Sequence, residues 1–420
     1  MTASSSPDTD PQAPQPRRAA TIFIFITIVL DIVAMGMVIP VMPQLIQQVA
    51  HVNAGQLAMI FGVFGTSWAV MQLISSPVQG ALSDRFGRRP IILTSNFGMG
   101  VNYLLMAVAP SLGWLFAGRI VSGLCAGSIP AAMAYLADVN PPEKRAASFG
   151  ILGAGFSLGI AVGPALGGLL GAFGPRAPFW AAAGLSLVNA MYGLFVLPES
   201  LPRERRAPLN FWRLNPVGAL VSLIRSYPAL GGMLAVSFLL TLAQQGPNNV
   251  FVIYCKERYR WGPADIGLML SAMGVAGMIV QAGLISLVIK RIGERKALIV
   301  GGALQIASMV MFAVAATGAQ FLMALPISAL GAIGGPSWSA ILSRTVDASE
   351  QGRLAGATSS LSSLSAIFGP LLFTSSFAVA EQTKQTTLLG APFYLAAAVL
   401  TVAIALAAWV TRREPQVVVA

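Results

Sequence analysis

Acidic residues are scarce in this chain: 15 Asp and Glu stand among 420 residues, and charged residues of every kind make up only 10%. A soluble domain needs far more charge than that to cover its surface. Histidine occurs once, as His51 in a polar connection, so neither a serine triad nor a histidine proton relay inside the apolar stretches can be built. The two cysteines, Cys125 and Cys255, lie in different apolar stretches with no companion at metal or redox spacing. No metal site is expected. No Gly-Lys-Ser/Thr phosphate loop occurs, which removes ATP as a direct energy source. Gly155-Phe156-Ser157-Leu158-Gly159 has the spacing of a hydrolase nucleophile elbow but lacks the strand-turn-helix setting that chemistry needs. The expectation is a protein that is not an enzyme and carries no cofactor.

What is abundant is apolar sequence, 55% of the chain, with a mean hydropathy of +0.73. A bilayer core of about 30 Å needs roughly 20 apolar residues per helix. Twelve stretches qualify, at 20–46, 56–82, 90–109, 112–138, 145–173, 177–197, 229–254, 263–289, 296–317, 319–345, 352–380 and 388–410. Residues 1–19 read as a disordered tail, and the run that follows is too long for a signal-peptide core. The net charge of +11 would suggest nucleic acid in a soluble protein, so the placement of the basic residues decides its meaning. Of 26 Lys and Arg, 20 fall in the tails and one set of alternate connections, five in the other set, and Arg119 alone inside a span. That asymmetry predicts orientation, with both termini cytoplasmic and the basic ends near anionic lipid, and no nucleic-acid partner.

The longest connection, 198–228, divides the spans six and six, giving an expected N-terminal bundle over 20–197, a C-terminal bundle over 229–410 and a cytoplasmic tail at 411–420. Shifting the sequence by 206 residues superposes Arg85-Phe86-Gly87 on Arg291-Ile292-Gly293, Pro130 on Pro336, Gly150 on Gly356 and Gly163-Pro164 on Gly369-Pro370. One register serving several landmarks predicts two parallel copies with a substrate site between them near mid-membrane. The fold class is therefore an all-α membrane protein of twelve transmembrane helices in two pseudo-symmetric six-helix bundles. Asp31 is the one acid well inside a span, apart from Asp138 at a helix end, and a carboxylate in hydrocarbon is a functional candidate by default. Arg119 is the intramembrane cation available to pair with it. Gln72, Asn102, Gln244, Gln245, Asn248, Asn249, Gln281, Gln305 and Trp338 are candidates for a polar cavity with aromatic walls.

The connection after the second span reads Gly80-Ala-Leu-Ser-Asp84-Arg85-Phe-Gly87-Arg88-Arg89-Pro90, with a weaker copy at Lys290-Arg291-Ile-Gly293-Glu294-Arg295. It resembles the signature loop of the major facilitator superfamily, and the resemblance implies a gating role for Gly80, Asp84, Arg85, Gly87, Arg88 and Arg89. Gly155, Gly159, Gly163, Gly167 and Gly171 form a stripe at every fourth residue. The piece Gly159-Ile-Ala-Val-Gly163-Pro164-Ala-Leu-Gly167-Gly168 resembles the motif of exporters in that superfamily. Leu30-Asp31 through Pro43, Ala69-Val-Met-Gln72 and Gly118-Arg119-Ile-Val-Ser-Gly123 look like tetracycline-resistance efflux proteins of its drug:proton antiporter group. Those proteins also carry membrane aspartates where this chain has Asn102 and Gln305. The resemblance implies a proton-coupled antiporter exporting drugs across the bacterial inner membrane by alternating access, with Asp31 and Arg119 in coupling. Its partners would be a small-molecule substrate, protons and the lipid bilayer, and it is expected to work as a monomer. The alternative is a proton-coupled carrier for one metabolite.

Overall fold

The computed structural model describes residues 18–207, 230–346, 350–383, 385 and 388–413. The expected tails before residue 18 and after residue 413, and the part of the central loop from 208 on, lie outside the described residues. Lipid offers backbone groups no hydrogen bonds, so each apolar stretch closes its own as a helix. Helices fall on all twelve. The first span runs Arg18–Val38 and Met42–Ala50, the second Ala54–Phe86, the third Arg88–Ala107, the fourth Leu112–Leu124 and Ser128–Val139, the fifth Pro142–Gly171 and the sixth Ala177–Val196. The seventh is Leu230–Tyr259 and the eighth Pro263–Ile279, continued by a π turn at Val280–Leu284 and by Ile285–Ile292. The ninth is Glu294–Val314, the tenth Gly318–Gly331 and Gly334–Ser343, the eleventh Gln351–Gln382 and the twelfth Ala391–Arg413. Among the described residues nine helices are long and apolar enough to cross a bilayer on composition alone. The third, seventh and eighth fall short because they are more polar or are interrupted.

The 206-residue repeat extends to local geometry. The fourth span breaks at residues 125–127 and the tenth at 332–333, and Gly87 and Gly293 hold positive φ values of 109° and 78° at corresponding sites. Pairings repeat as well: the first span packs on the fifth and sixth as the seventh does on the eleventh and twelfth. Two pairs carry most of the contact between the halves, the second span with the eleventh and the fifth with the eighth, and the second span also meets the seventh.

Helices in lipid associate through close packing, because burying apolar surface against another helix gains little over burying it in acyl chains. The glycine stripe of the fifth span supplies that closeness within its own half. Gly155 lies on Phe25 and Val29, Gly159 on Ile32, Gly163 on Gly36, Gly167 on Met37 and Gly171 on Val41. The neighbouring face of the same helix meets the other half: Gly168 touches Ala264 and Gly267, and Ala161 touches Gly274. On the opposite side Gly55, Gly62 and Gly65 seat against residues 370–381, and the Thr66 hydroxyl donates to the Ile367 carbonyl at 2.7 Å.

All these contacts lie away from the Arg-rich ends. Toward those ends, Gly80 of the second span, Gly150 and Gly153 of the fifth, Gly283 of the eighth, and Gly352 and Gly356 of the eleventh face open space. The four joining spans therefore diverge, and the cleft between the halves opens on the Arg-rich side. A Cβ added at Gly267 would collide with the Pro164 carbonyl, so Gly267→Val is expected to wedge the joined end apart. A Gly55→Cys/Ala378→Cys cross-link across the joined end, on a background lacking Cys125 and Cys255, should lose at least half its yield in that variant.

Candidate functional site

The first span carries Asp31 at a depth where an unanswered carboxylate is costly, about 3 kcal/mol on insertion scales. It is answered by amides. Asn189 of the sixth span donates through Nδ2 to Asp31 Oδ1 at 2.8 Å and to the Thr27 carbonyl at 3.0 Å. With the Asn96 amide assigned the orientation its neighbours require, its nitrogen donates to Asp31 Oδ2 at 2.9 Å and its oxygen accepts from Asn189 Nδ2 at 3.0 Å. Ser128, where the fourth span restarts, also faces the carboxylate. A hydrogen bond to a charged group contributes about 1.5–3 kcal/mol, so two amides offset most of the insertion cost.

The expected Asp31–Arg119 pair is not formed: no ion pair joins them among the described residues. Buried Tyr103 of the third span lies within electrostatic reach of both, and Arg119 Nε is buried without a hydrogen-bond partner. Asn102, expected in the cavity, is 1% exposed, lies against Gly118 of the fourth span and leaves both amide atoms unpartnered. Trp338, expected as an aromatic wall, is packed inside the second half with Nε1 donating to Ser237 Oγ at 2.8 Å. Gln305 reaches Ser328 at 3.5 Å between the ninth and tenth spans. Gln72 is half-buried on the second span, and Gln244 and Asn248 are exposed on the seventh. Gln281 is exposed on the π turn, a local widening that often marks a functional site. Gln245 and Asn249 come together, Asn249 Nδ2 donating to the Gln245 carbonyl at 2.8 Å, and both lie where Gly65 and Gly369 approach the seventh span. That point is the closed apex of the cleft.

At the Arg-rich end Asp84 pairs with Arg88 at 2.5 Å, inside its own half and not across the cleft. Arg88 Nε also bonds Asp138 Oδ2 at 3.0 Å, and Glu199 Oε1 accepts from the Arg88 backbone N–H at 2.8 Å. Arg89 donates to the Leu194 carbonyl at 2.6 Å, whereas Arg85 is exposed, 5.8 Å from the Phe86 ring. Gly80 lines a cavity of about 220 Å³ with Gln79, Asp84 and Arg88. In the second half Glu294 pairs with Arg344 at 2.7 Å. At the 206-residue offset, Asp84, Arg88 and Asp138 correspond to Lys290, Glu294 and Arg344, so every charge of the triad is inverted.

The family model described as Major Facilitator Superfamily matches residues 24–370. The chain belongs to that superfamily. It is 39% identical over 378 residues to the class C tetracycline resistance protein of Escherichia coli, covering 90% of this chain and 94% of the relative. It is 36% identical to the class G tetracycline resistance protein of Vibrio anguillarum, covering 85% and 90%. Among solved structures, the human organic anion transporter MFSD10 superposes with a TM-score of 0.69 at 21% identity, over 94% of this chain and 100% of that one.

Sequence reasoning had marked the loop of this major facilitator protein but missed Glu199, Asn96 and Asn189. The signal for Glu199 was an acid directly after the apolar run of the sixth span. Its carboxylate caps the N-terminus of the third span, where the helix dipole favours negative charge. Gly87 makes room for it through a positive φ and the missing Cβ, which would otherwise strike Glu199. Gly87→Ala and Glu199→Ala are each expected to destabilise by about 1–2 kcal/mol, read as lower melting temperatures in detergent. Because they break one cap, the double variant should lose clearly less than the sum.

Proposed function

We propose that this protein is a proton-driven antiporter that exports drugs, tetracyclines among them, across the bacterial inner membrane by alternating access. The observation that carries the reading is an amide-held carboxylate at membrane depth, in a chain whose curated relatives over nine-tenths of its length are tetracycline resistance proteins. The excess of Lys and Arg at one set of ends supports a cytoplasmic position for those ends and for both termini. In that orientation the cleft opens toward the cytoplasm, where a drug to be exported is encountered. The drug enters beside Asp31 and toward Gln245 and Asn249; Asp31 takes a proton only when the halves have rocked to open outward. The return stroke carries that proton in. Gating falls to the Asp84–Arg88 loop, and the close contact of the fifth span's glycines on the first lets the helices shift without a gap. Arg119, which has no ion-pair partner among the described residues, is available to attract Asp31 or a substrate anion in the other state. Each pH unit of gradient supplies about 1.4 kcal/mol per proton, a tenfold drug gradient at one-for-one exchange of a neutral species. One chain holds both halves, so a monomer suffices.

A single-metabolite carrier on the same fold is the second reading. It is favoured by Asn102 and Gln305, which are neutral and engaged in helix packing, so those positions of the third and ninth spans present no acid to a cationic drug. Inside-out vesicles with an acid lumen separate the two. Added tetracycline should drain lumenal protons through the wild type, and Asp31→Asn should lower the rate by tenfold or more. If no compound in a drug panel moves protons through the wild type, the metabolite reading replaces the first.

A further inference from the structure

Asn96 and Asn189 reach the carboxylate of Asp31 from two different helices, the third and the sixth spans. We infer that these two asparagines are positioning residues that hold Asp31 deprotonated while the cleft faces the Arg-rich side, so that the proton is released there. The inference rests on Asp31 being the coupling acid proposed above.

The chemistry is directional. An ionised carboxylate only accepts hydrogen bonds, and an amide nitrogen only donates. Asn189 Nδ2 occupies Oδ1 at 2.8 Å and Asn96 occupies Oδ2 at 2.9 Å, so a proton on either oxygen would face a donor. Both asparagines are buried, Asn96 at 1% and Asn189 at 0% exposure. The two amides also meet across the tightly packed third and sixth spans, where the Asn96 oxygen lies 3.0 Å from Asn189 Nδ2 and shares its two hydrogens with Asp31 and Thr27.

The Asn189 nitrogen is also tied to the Thr27 carbonyl at 3.0 Å, which fixes its orientation toward Asp31. Both amides thus favour the charged form.

Among the described residues no competing charge pairs with the acid. Tyr103 from the third span and Arg119 from the fourth are within electrostatic reach of the cluster without an ion pair to Asp31, and Ser128 adds a hydroxyl. The fifth span, packed along the first, has no ionisable residue between 146 and 171.

The test is a pH profile at the Arg-rich face of inside-out vesicles, which is their outer face, with tetracycline-driven proton efflux as readout. Infrared difference titration of the Asp31 carboxyl in detergent, referenced to Asp31→Asn, runs alongside. Asn189→Leu should raise the midpoint by about one pH unit or more, with the rate recovering at alkaline pH. Asn96→Leu should do the same, and Asn189→Ser, which keeps a donor, should shift it less. An unmoved midpoint in a folded Asn189→Leu protein, by transport and by infrared, overturns the inference. Should Asn189→Leu fail to fold, the infrared midpoints of Asn189→Ser and Asn96→Ser decide instead, a shift supporting the cradle and none overturning it. Proton exchange that survives Asp31→Asn would sink the coupling reading alone, since the infrared titration judges the cradle without transport.

Discussion

Close approach of helix backbones is the constraint on which this molecule depends. In lipid, two apolar helices gain little by touching unless their backbones come near enough for dispersion to act over many atoms. The fifth span does this on two faces at once. One face, at every fourth residue from Gly155 to Gly171, is filled by the first span, which fixes the first half. The other, through Ala161, Pro164 and Gly168, is filled by the eighth span and joins the halves. Because the second contact involves only part of the helix, the halves are hinged at one end and free at the other. The cleft is a consequence of where the small residues stop finding partners.

The free ends are held by charge in place of packing. Each half ties its own loop to the end of its own fourth or tenth span, by Arg88 and Asp138 in one and by Glu294 and Arg344 in the other. Exposed pairs of this kind add little stability; Arg344 is 74% exposed. Their inversion between the halves matters more. The triad of Asp84, Arg88 and Asp138 sums to one negative charge, and Lys290, Glu294 and Arg344 sum to one positive charge. Taken alone, two like-signed triads would repel on approach, whereas triads of opposite sign do not.

Most of the architecture was legible in the residues. All twelve stretches carry helices, since length and hydropathy leave little choice in a bilayer, and the 206-residue register extended to helix breaks and glycine geometry. The breaks themselves were not foreseen at residues 125–127 or 332–333, because a continuous apolar run looks the same whether its helix is whole or interrupted. Asp31 stood out as an isolated acid, but its partner was misjudged. Pairing by charge pointed to Arg119, while two amides satisfy the same oxygens. Asn102 drew attention in place of Asn96 for a similar reason. The two lie six residues apart, about 240° around an α-helix, so one faces Gly118 and the other faces Asp31.

The repeat also marks where the halves have parted. Carried to the first span, the offset sets Ser237 opposite Asp31, and there the buried indole of Trp338 donates to the Ser237 hydroxyl. Neither group titrates near neutral pH. Gly302 and Leu395 stand where the first half has Asn96 and Asn189. The second half therefore keeps the packing of the repeat while its copy of the acid is replaced by a neutral hydrogen bond. On the coupling role proposed for Asp31, a protonation event confined to one half would bias how that half rests against the other without disturbing both cores. Two titrating copies would respond to the same proton gradient on both sides of the hinge, and a single copy gives the gradient one side to act on.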